Sequence, residues 1–151
     1  MRRALTFVLA GVLSVAVVAA VGAEGKAQFG SAAEAKAMLE KAVAAIKKDK
    51  AKALAMFAKG EGGFKDRDLY PFCGGADGNF TAHPTLAGKS LKGLKDKAGK
   101  ALGEEIYKVA AEGKVSEVNY MWPRPGSETP VQKVTFVTKA GDQVCAVGYY
   151  K

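Results

Sequence analysis

The sequence has few of the residue types from which catalytic and metal sites are built. Its 151 residues include one histidine, His83, and two cysteines, with no CxxC pair and no cluster of cysteine and histidine. Zinc sites need such clusters, so we expect no metal site and interpret His83 as a hydrogen-bonding residue at a strand end. The sequence also has no Ser-His-Asp order, no motif of paired carboxylates and no cofactor signature. These absences argue against an enzyme and against a bound cofactor.

Two glycine-containing stretches have the residues of ligand-binding loops but not their spacing. Gly74-Gly75 does not belong to the G-x-x-x-x-G-K-[ST] pattern of phosphate-binding loops. Asp77-Gly78 lacks the D-x-D-x-D-G spacing of calcium loops, and an Asp-Gly pair is typical of a tight hairpin turn. We therefore predict a turn here, without an ion or phosphate site.

The chain has a net charge of +8 but no arginine-rich stretch. Its lysines are spread along the whole sequence, unlike the clustered basic residues of nucleic-acid-binding proteins. We therefore expect no nucleic-acid partner. The positive charge is interpreted as a solvated surface with a modest preference for anionic ligands or membrane surfaces.

The N-terminal residues have the pattern of a targeting signal. Arg2 and Arg3 precede an apolar run that ends in the small residues of a cleavage site. This pattern predicts a signal peptide over residues 1–23, cleaved after Ala23, and therefore a secreted or periplasmic protein. The alternative is an uncleaved N-terminal membrane anchor. Residues 24–30 are predicted to be a flexible leader, and no later apolar run reaches the roughly 18 residues of a membrane helix.

The remaining residues, 31–151, are predicted to form one α+β domain. Ser31 and Glu34 have capping-box spacing and open a helical pattern that ends before Gly60, as one helix or as two with a joint near Asp49. Another helix is predicted over residues 101–111. Strands are predicted over residues 68–73, 80–83, 115–122, 131–139 and 143–150. This order predicts a five-stranded, mainly antiparallel sheet, with a long irregular connection over residues 85–100.

Several short motifs follow one another in an order that resembles the single Cache domains of the second type. They are Asp77-Gly78, Ala82-His83-Pro84, Gly88 with Leu91, Asp96 with Gly99, Tyr120-Met121-Trp122, Lys133 and Gly148-Tyr149-Tyr150. The resemblance covers roughly residues 31 to 151. It implies a PAS-like Cache fold, with a long N-terminal helix packed on an antiparallel sheet. It also implies a pocket on one face of the sheet for small extracellular molecules, often short organic acids.

The sequence departs from the pattern of Cache receptors because it ends at Lys151, with no transmembrane helix or signalling region after the last strand. We therefore expect a stand-alone exported member that binds or senses a small anionic metabolite, such as a short carboxylic acid. A membrane sensor or a transporter is a candidate protein partner. The alternative is a structural or interaction subunit of a membrane sensor, without a ligand pocket of its own.

Six residues are candidates for contacts to such a ligand. Tyr120 and Trp122 share one face of a strand and could be plain core residues or a pocket wall, which in the resembled family borders the ligand. Lys133 could be a solvated lysine or the cation that holds a carboxylate, with Arg124 as a second cation in a loop. The full set is Tyr70, His83, Tyr120, Trp122, Arg124 and Lys133.

The two cysteines are candidates for a disulfide, which an oxidising compartment permits. In the resembled fold the first and last strands are neighbours at the centre of the sheet. Adjacent strands lie about 4.8 Å apart, so Cys73 and Cys145 can be bridged if the register agrees. The alternative is a pair of buried free thiols.

Overall fold

The structure is a computed structural model that describes residues 25–151. In this part of the chain the elements are α1 (Ala32–Lys48), α2 (Lys50–Lys59), β1 (Pro71–Gly74), β2 (Phe80–Ala82), α3 (Leu102–Val109), β3 (Ser116–Pro123), β4 (Pro130–Ala140) and β5 (Gln143–Tyr150). All strand pairs are antiparallel, so the predicted α+β class and five-stranded sheet are confirmed. The predicted signal peptide lies outside the described residues.

The N-terminal helical region consists of two helices joined at one residue. Ser31 caps α1 with the predicted capping box, because its side chain accepts from the Glu34 N–H and the Glu34 carboxylate accepts from the Ser31 N–H. Asp49 ends α1 in an extended conformation, and its carboxylate then accepts from the Lys52 N–H to cap α2. Gly60, with a φ of 69°, ends α2 as predicted.

The strands are arranged in the order β2-β1-β5-β4-β3. The first strand is shorter than predicted, because Asp66 and Leu69 exchange two backbone hydrogen bonds and close a turn of their own before Pro71. The predicted proximity of the first and last strands is confirmed, since Cys73 lies directly opposite Cys145. Their sulfur atoms are 2.06 Å apart, which is the distance of a disulfide bond.

The sheet is buried on both faces, and each face carries its own apolar cluster. On one face α1 and α2 cover a cluster that contains Leu39, Phe57, Phe136 and the cysteine pair. On the other face α3 and the irregular segment before it cover a second cluster, which contains the residues Tyr70, Phe72, Phe80, Leu91, Leu102, Ile106, Val118 and Tyr120. The burial of β5, complete apart from the half-buried Tyr149, follows from this two-sided cover.

The irregular connection before α3 is held to the edge of the sheet. The Asp96 carboxylate accepts hydrogen bonds from the N–H groups of Met121, Ala98 and Lys100. Burial by itself would raise the pKa of Asp96, but these hydrogen bonds outweigh it and the pKa lies below its usual range.

Within residues 25–151, none of the helices has the length and apolar character that a membrane crossing requires.

Candidate functional site

Lys133 lies on β4, on the second face of the sheet. It lies directly opposite Tyr120 on β3 and directly opposite Tyr150 on β5. The three side chains therefore project to the same side of the sheet. Its side chain is directed into the domain, and the residue is only 1% exposed. A lysine this buried requires compensation for the water that its ammonium group has lost.

Aromatic side chains surround the Lys133 ammonium group. Its Nζ lies 4.4 Å from the ring centre of Tyr70 and 4.8 Å from that of Tyr150. The rings of Phe72 and Tyr120 are each 6.0 Å away. All these distances are within the range of cation–π attraction. We call these four rings and the space that they enclose the lysine niche.

The polar contacts of Lys133 leave its charge without an acidic partner in the described part of the chain. Its Nζ donates one hydrogen bond there, to the Tyr70 hydroxyl at 3.1 Å, and it forms no ion pair with an aspartate or glutamate. An ammonium group has three N–H donors, so donors remain for a further acceptor.

The lysine remains charged in spite of its burial. Burial by itself would lower the pKa of Lys133, but its interactions with Tyr120, Tyr70 and Tyr150 oppose this effect and the pKa lies above its ordinary value. Burial raises the pKa of Tyr120 and of Tyr150, so their hydroxyl groups are neutral. The niche therefore contains one positive charge among aromatic rings and the neutral hydroxyl groups of Tyr120 and Tyr150.

Gly148 provides the space through which the Lys133 side chain passes. It lies opposite Thr135 on β4, and a Cβ atom at this position would stand 2.5 Å from Lys133 Cε. Thr135 in turn shares a 2.8 Å hydrogen bond with the hydroxyl of Tyr120. The path of the lysine thus depends on a glycine in the neighbouring strand.

His83 lies beside the niche and is neutral. Its Nδ1 accepts hydrogen bonds from the N–H groups of Thr85 and Leu86 at 3.0 and 3.1 Å, which assigns the ring proton to Nε2. Its ring makes edge contacts with Tyr70 and Phe80 at centroid distances of 5.5 and 5.0 Å. Burial, together with the charge of Lys133, lowers the pKa of His83 to about 4.

A cleft of about 580 Å³ opens next to the niche. Its size is typical of small-molecule sites. The cleft is lined by Phe57, Ala58, Lys59, Gly60, Phe64, Lys65, Tyr70, Pro84, Thr85, Leu86, Lys97, Trp122, Pro123, Arg124, Pro125 and Gly126. Tyr70 belongs to both the cleft and the niche, so its side chain forms the wall between them.

Trp122 forms part of the cleft wall and also packs on the core. Its ring is half-buried and contacts the ring of Tyr120 edge to face, at a centroid distance of 6.3 Å. The ammonium group of Lys97 lies over the Trp122 ring, 5.9 Å from its centre. The Lys97 N–H donates to the carbonyl of Met121, which holds this lysine at the edge of β3.

Arg124 lines the cleft, but its charge already has a partner. Its Nε lies 3.4 Å from the Oδ2 of the buried Asp68. Its guanidinium group also lies 4.3 Å from the ring of Phe29 and 5.1 Å from that of Tyr150. Asp68 accepts in addition from the Gly30 N–H, so this group of residues connects the cleft to the segment that precedes α1.

The structure brings the six predicted site residues together in two adjacent groups. Lys133, Tyr120 and His83 lie at the niche, whereas Trp122 and Arg124 line the cleft and Tyr70 belongs to both. The prediction did not include Phe72, Thr135, Gly148 and Tyr150. Strand alternation provided a signal for two of these, because Gly148 and Tyr150 are two positions apart at the end of the last predicted strand.

An antiparallel sheet with two N-terminal helices on one face, a short helix and an irregular segment on the other, and a ligand-sized cleft beside it is the architecture of a PAS-like sensor domain. The sequence model described as single Cache domain 2 matches residues 12–148 of this chain. The chain therefore belongs to the single Cache domain 2 family, and the predicted family membership is confirmed. Domains of this family are ligand-binding modules of sensory proteins.

Chemotaxis receptors are among the proteins that this chain is similar to. It is 34% identical over 56 residues to the methyl-accepting chemotaxis protein McpP of Pseudomonas putida. That match covers 37% of this chain and only 10% of the receptor.

Three solved structures share the fold. A methyl-accepting chemotaxis protein from Vibrio parahaemolyticus superposes with a TM-score of 0.64 at 25% identity, over 78% of this chain and 86% of that one. The periplasmic sensor domain of a chemotaxis protein gives a TM-score of 0.56 at 26% identity, over 76% and 86% of the two chains. A Cache chemosensory domain whose structure concerns carboxylic acid recognition gives a TM-score of 0.56 at 21% identity, over 76% of this chain and 84% of that one. This likeness shows the fold alone.

Proposed function

We propose that this protein is an exported sensor or binding module for a small anionic metabolite, and that a ligand carboxylate binds at Lys133. The observation that carries the proposal is a buried ammonium group without an acidic partner among residues 25–151, one side chain away from a cleft of about 580 Å³. A buried charge of this kind is compensated when a ligand of opposite charge binds.

The contacts around Lys133 indicate how a carboxylate would be held. The Tyr70 hydroxyl accepts a hydrogen bond from the ammonium group, and the same residue lines the cleft. A ligand oxygen that displaces this hydroxyl gains a charge-assisted hydrogen bond worth about 1.5–3 kcal/mol. The other donors near the ammonium group are the neutral hydroxyl groups of Tyr120 and Tyr150 and, beside them, the Nε2–H of His83.

The choice of an acid as the ligand rests on the charge of Lys133. One structural relative, whose likeness shows the fold alone, concerns carboxylic acid recognition. The predicted signal peptide over residues 1–23 supports a periplasmic location, which the sensor domain of another relative has. Whether this protein acts alone or with a membrane sensor or transporter stays a prediction.

A screen of short carboxylic acids by thermal shift tests the proposal. A ligand at 100 times its dissociation constant should stabilise the protein by about 2.7 kcal/mol. Lys133→Met keeps an apolar chain in the niche and removes the charge, so it should abolish the shift. Lys139→Met, on an exposed lysine of the same strand, should preserve it. A ligand shift that survives Lys133→Met would show that the carboxylate binds elsewhere.

A second candidate function is favoured by the closure of the niche. At 1% exposure, Lys133 is sealed behind Tyr70 and Tyr150, as in a domain that serves a partner protein without a ligand of its own. For this alternative, no acid in the screen should stabilise the protein, and Lys133→Met should raise or preserve its stability because an apolar side chain suits an apolar niche.

A further inference from the structure

The cleft outside Tyr70 is larger than a short carboxylic acid requires. Its volume of about 580 Å³ is of the size that holds drug-sized ligands. A short acid bound at Lys133 has only a handful of non-hydrogen atoms, and the cleft would stay largely filled with water. The volume therefore indicates that more of the ligand lies on the outer side of Tyr70.

The charges of the cleft have one sign. Its lining residues include four cations, Lys59, Lys65, Lys97 and Arg124, and no aspartate or glutamate. Arg124 is paired with Asp68, which leaves the three exposed lysines to set the potential of the cleft. A concave surface of one charge attracts ligands of the opposite charge.

The walls of the cleft present flat apolar surfaces. Tyr70 and Trp122 contribute aromatic rings, and Pro84, Pro123 and Pro125 contribute proline rings. Planar ligands stack well on such surfaces. The ammonium group of Lys97 lies over the Trp122 ring, and both residues line the cleft, so a flat surface and a cation are close together there.

From this combination we infer that the ligand has a planar aromatic body against Trp122 and a second anionic group near Lys97, in addition to the carboxylate at Lys133. Aromatic dicarboxylates are the chemical class that fits. The inference rests on the proposed function, because that function supplies the position of the first carboxylate.

Calorimetric titration of the protein with four acids tests the inference. The acids are propionate, benzoate, terephthalate and the saturated ring analogue of terephthalate. A second charge at an exposed lysine should make the Kd of terephthalate about fivefold lower than that of benzoate. The aromatic ring should make it about fivefold lower than that of the saturated analogue.

Two variants assign these ratios to residues. Lys97→Gln should remove the advantage of terephthalate over benzoate, because benzoate has no second anionic group for Lys97 to hold. Trp122→Leu should remove the advantage of terephthalate over its saturated analogue. Lys47→Gln, on an exposed lysine in the last turn of α1, should change neither ratio. Lys97 is at the surface, so its variant stays informative if Trp122→Leu fails to fold.

The outcomes separate this inference from the proposed function. If propionate and benzoate bind in a way that Lys133→Met abolishes, but terephthalate binds no more tightly, the inference is wrong and the proposed function stands. If terephthalate keeps its full advantage in Lys97→Gln, the second anionic group is not at Lys97 and the inference is also wrong. If none of the acids binds, the proposed function fails and the inference fails with it.

Discussion

Tyr70 stands between Lys133 and the cleft: its hydroxyl accepts a 3.1 Å hydrogen bond from Lys133 Nζ, while the Tyr70 side chain contributes to the cleft wall. The two residues are 63 positions apart in the sequence. Tyr70 directly precedes β1, and because β1 and β4 both pair with β5, Tyr70 and Lys133 lie on either side of that strand. A ligand that reaches the lysine from the cleft on the side of Tyr70 must therefore move or replace this hydroxyl.

Removal of the Tyr70 hydroxyl should destabilise the free protein and strengthen ligand binding. In Tyr70→Phe the buried ammonium group loses its protein acceptor, which costs about 1–3 kcal/mol. A bound carboxylate restores an acceptor, so ligand-induced stabilisation should be larger in the variant. Urea unfolding with and without ligand measures both effects. Tyr149→Phe, a half-buried tyrosine in the other cluster, is the matched control; equal losses in the two variants would contradict the role given to Tyr70.

Gly148→Ala should destabilise the protein through a steric conflict with Lys133. The backbone at Gly148 is not in the left-handed region, so alanine is conformationally allowed and only space is at issue. The added methyl group would lie 2.5 Å from Lys133 Cε and closer still to Thr135 Oγ1, and overpacking of this kind costs about 1–3 kcal/mol. The measurement is chemical denaturation of the two single variants Gly148→Ala and Lys133→Ala and of their double variant. The losses should be less than additive, because the shortened lysine side chain removes one of the two obstacles to the methyl group; strict additivity would show that Thr135 alone is the obstacle.

The disulfide should be present in protein isolated from an oxidising compartment. Cys73 and Cys145 are both fully buried at the centre of the sheet, and the bridge closes a separation of 72 residues. In the chain-entropy model such a bridge stabilises by about 4 kcal/mol, and measured values are often smaller. Mass spectrometry with and without reductant should show a mass increase of one pair of hydrogens on reduction. Two thiols that react with an alkylating agent after unfolding, without reductant, would contradict the bridge.

Features of the fold that depend on nearby residues could be predicted from the sequence. The capping box of Ser31 and the glycines from Gly60 onward identify the ends of the N-terminal helical region, because caps depend on residues within one turn. The shared face of Tyr120 and Trp122 follows from strand alternation. The central pairing of Cys73 with Cys145 came from the family resemblance and not from local pattern.

The depth of the site could not be predicted in the same way. Lys133 has the sequence surroundings of an ordinary lysine, and its burial results from the register of β3, β4 and β5. The pairing of Arg124 with Asp68 likewise joins segments that are distant in the sequence. Long-range contacts of this kind are set by tertiary packing, which leaves no local signal. The division into a closed niche and an open cleft is therefore visible only in the structure.

His83 should make the stability of the protein depend on pH between about 6.5 and 4. Its pKa in the folded protein is about 4, below the ordinary value of 6.5, so the unfolded chain binds a proton more readily in this range. The stabilising contribution is fully present above pH 6.5 and is lost as the pH falls towards 4, by a total of about 3 kcal/mol. Carboxylates with lowered pKa values also lose stability in acid, so the comparison needs a variant that lacks only the imidazole.

His83→Asn provides this comparison, because its amide oxygen can still accept from the N–H groups of Thr85 and Leu86. The free energy of unfolding of both proteins should be measured from pH 7.5 to pH 4.5, a window chosen to span most of the His83 transition. The wild type should lose more stability than the variant across this window, by most of the 3 kcal/mol that the shifted pKa predicts. Parallel pH profiles would contradict the prediction, because they would show that His83 takes up a proton as readily in the folded protein as in the unfolded chain. A ring buried beside the charged Lys133 should resist protonation.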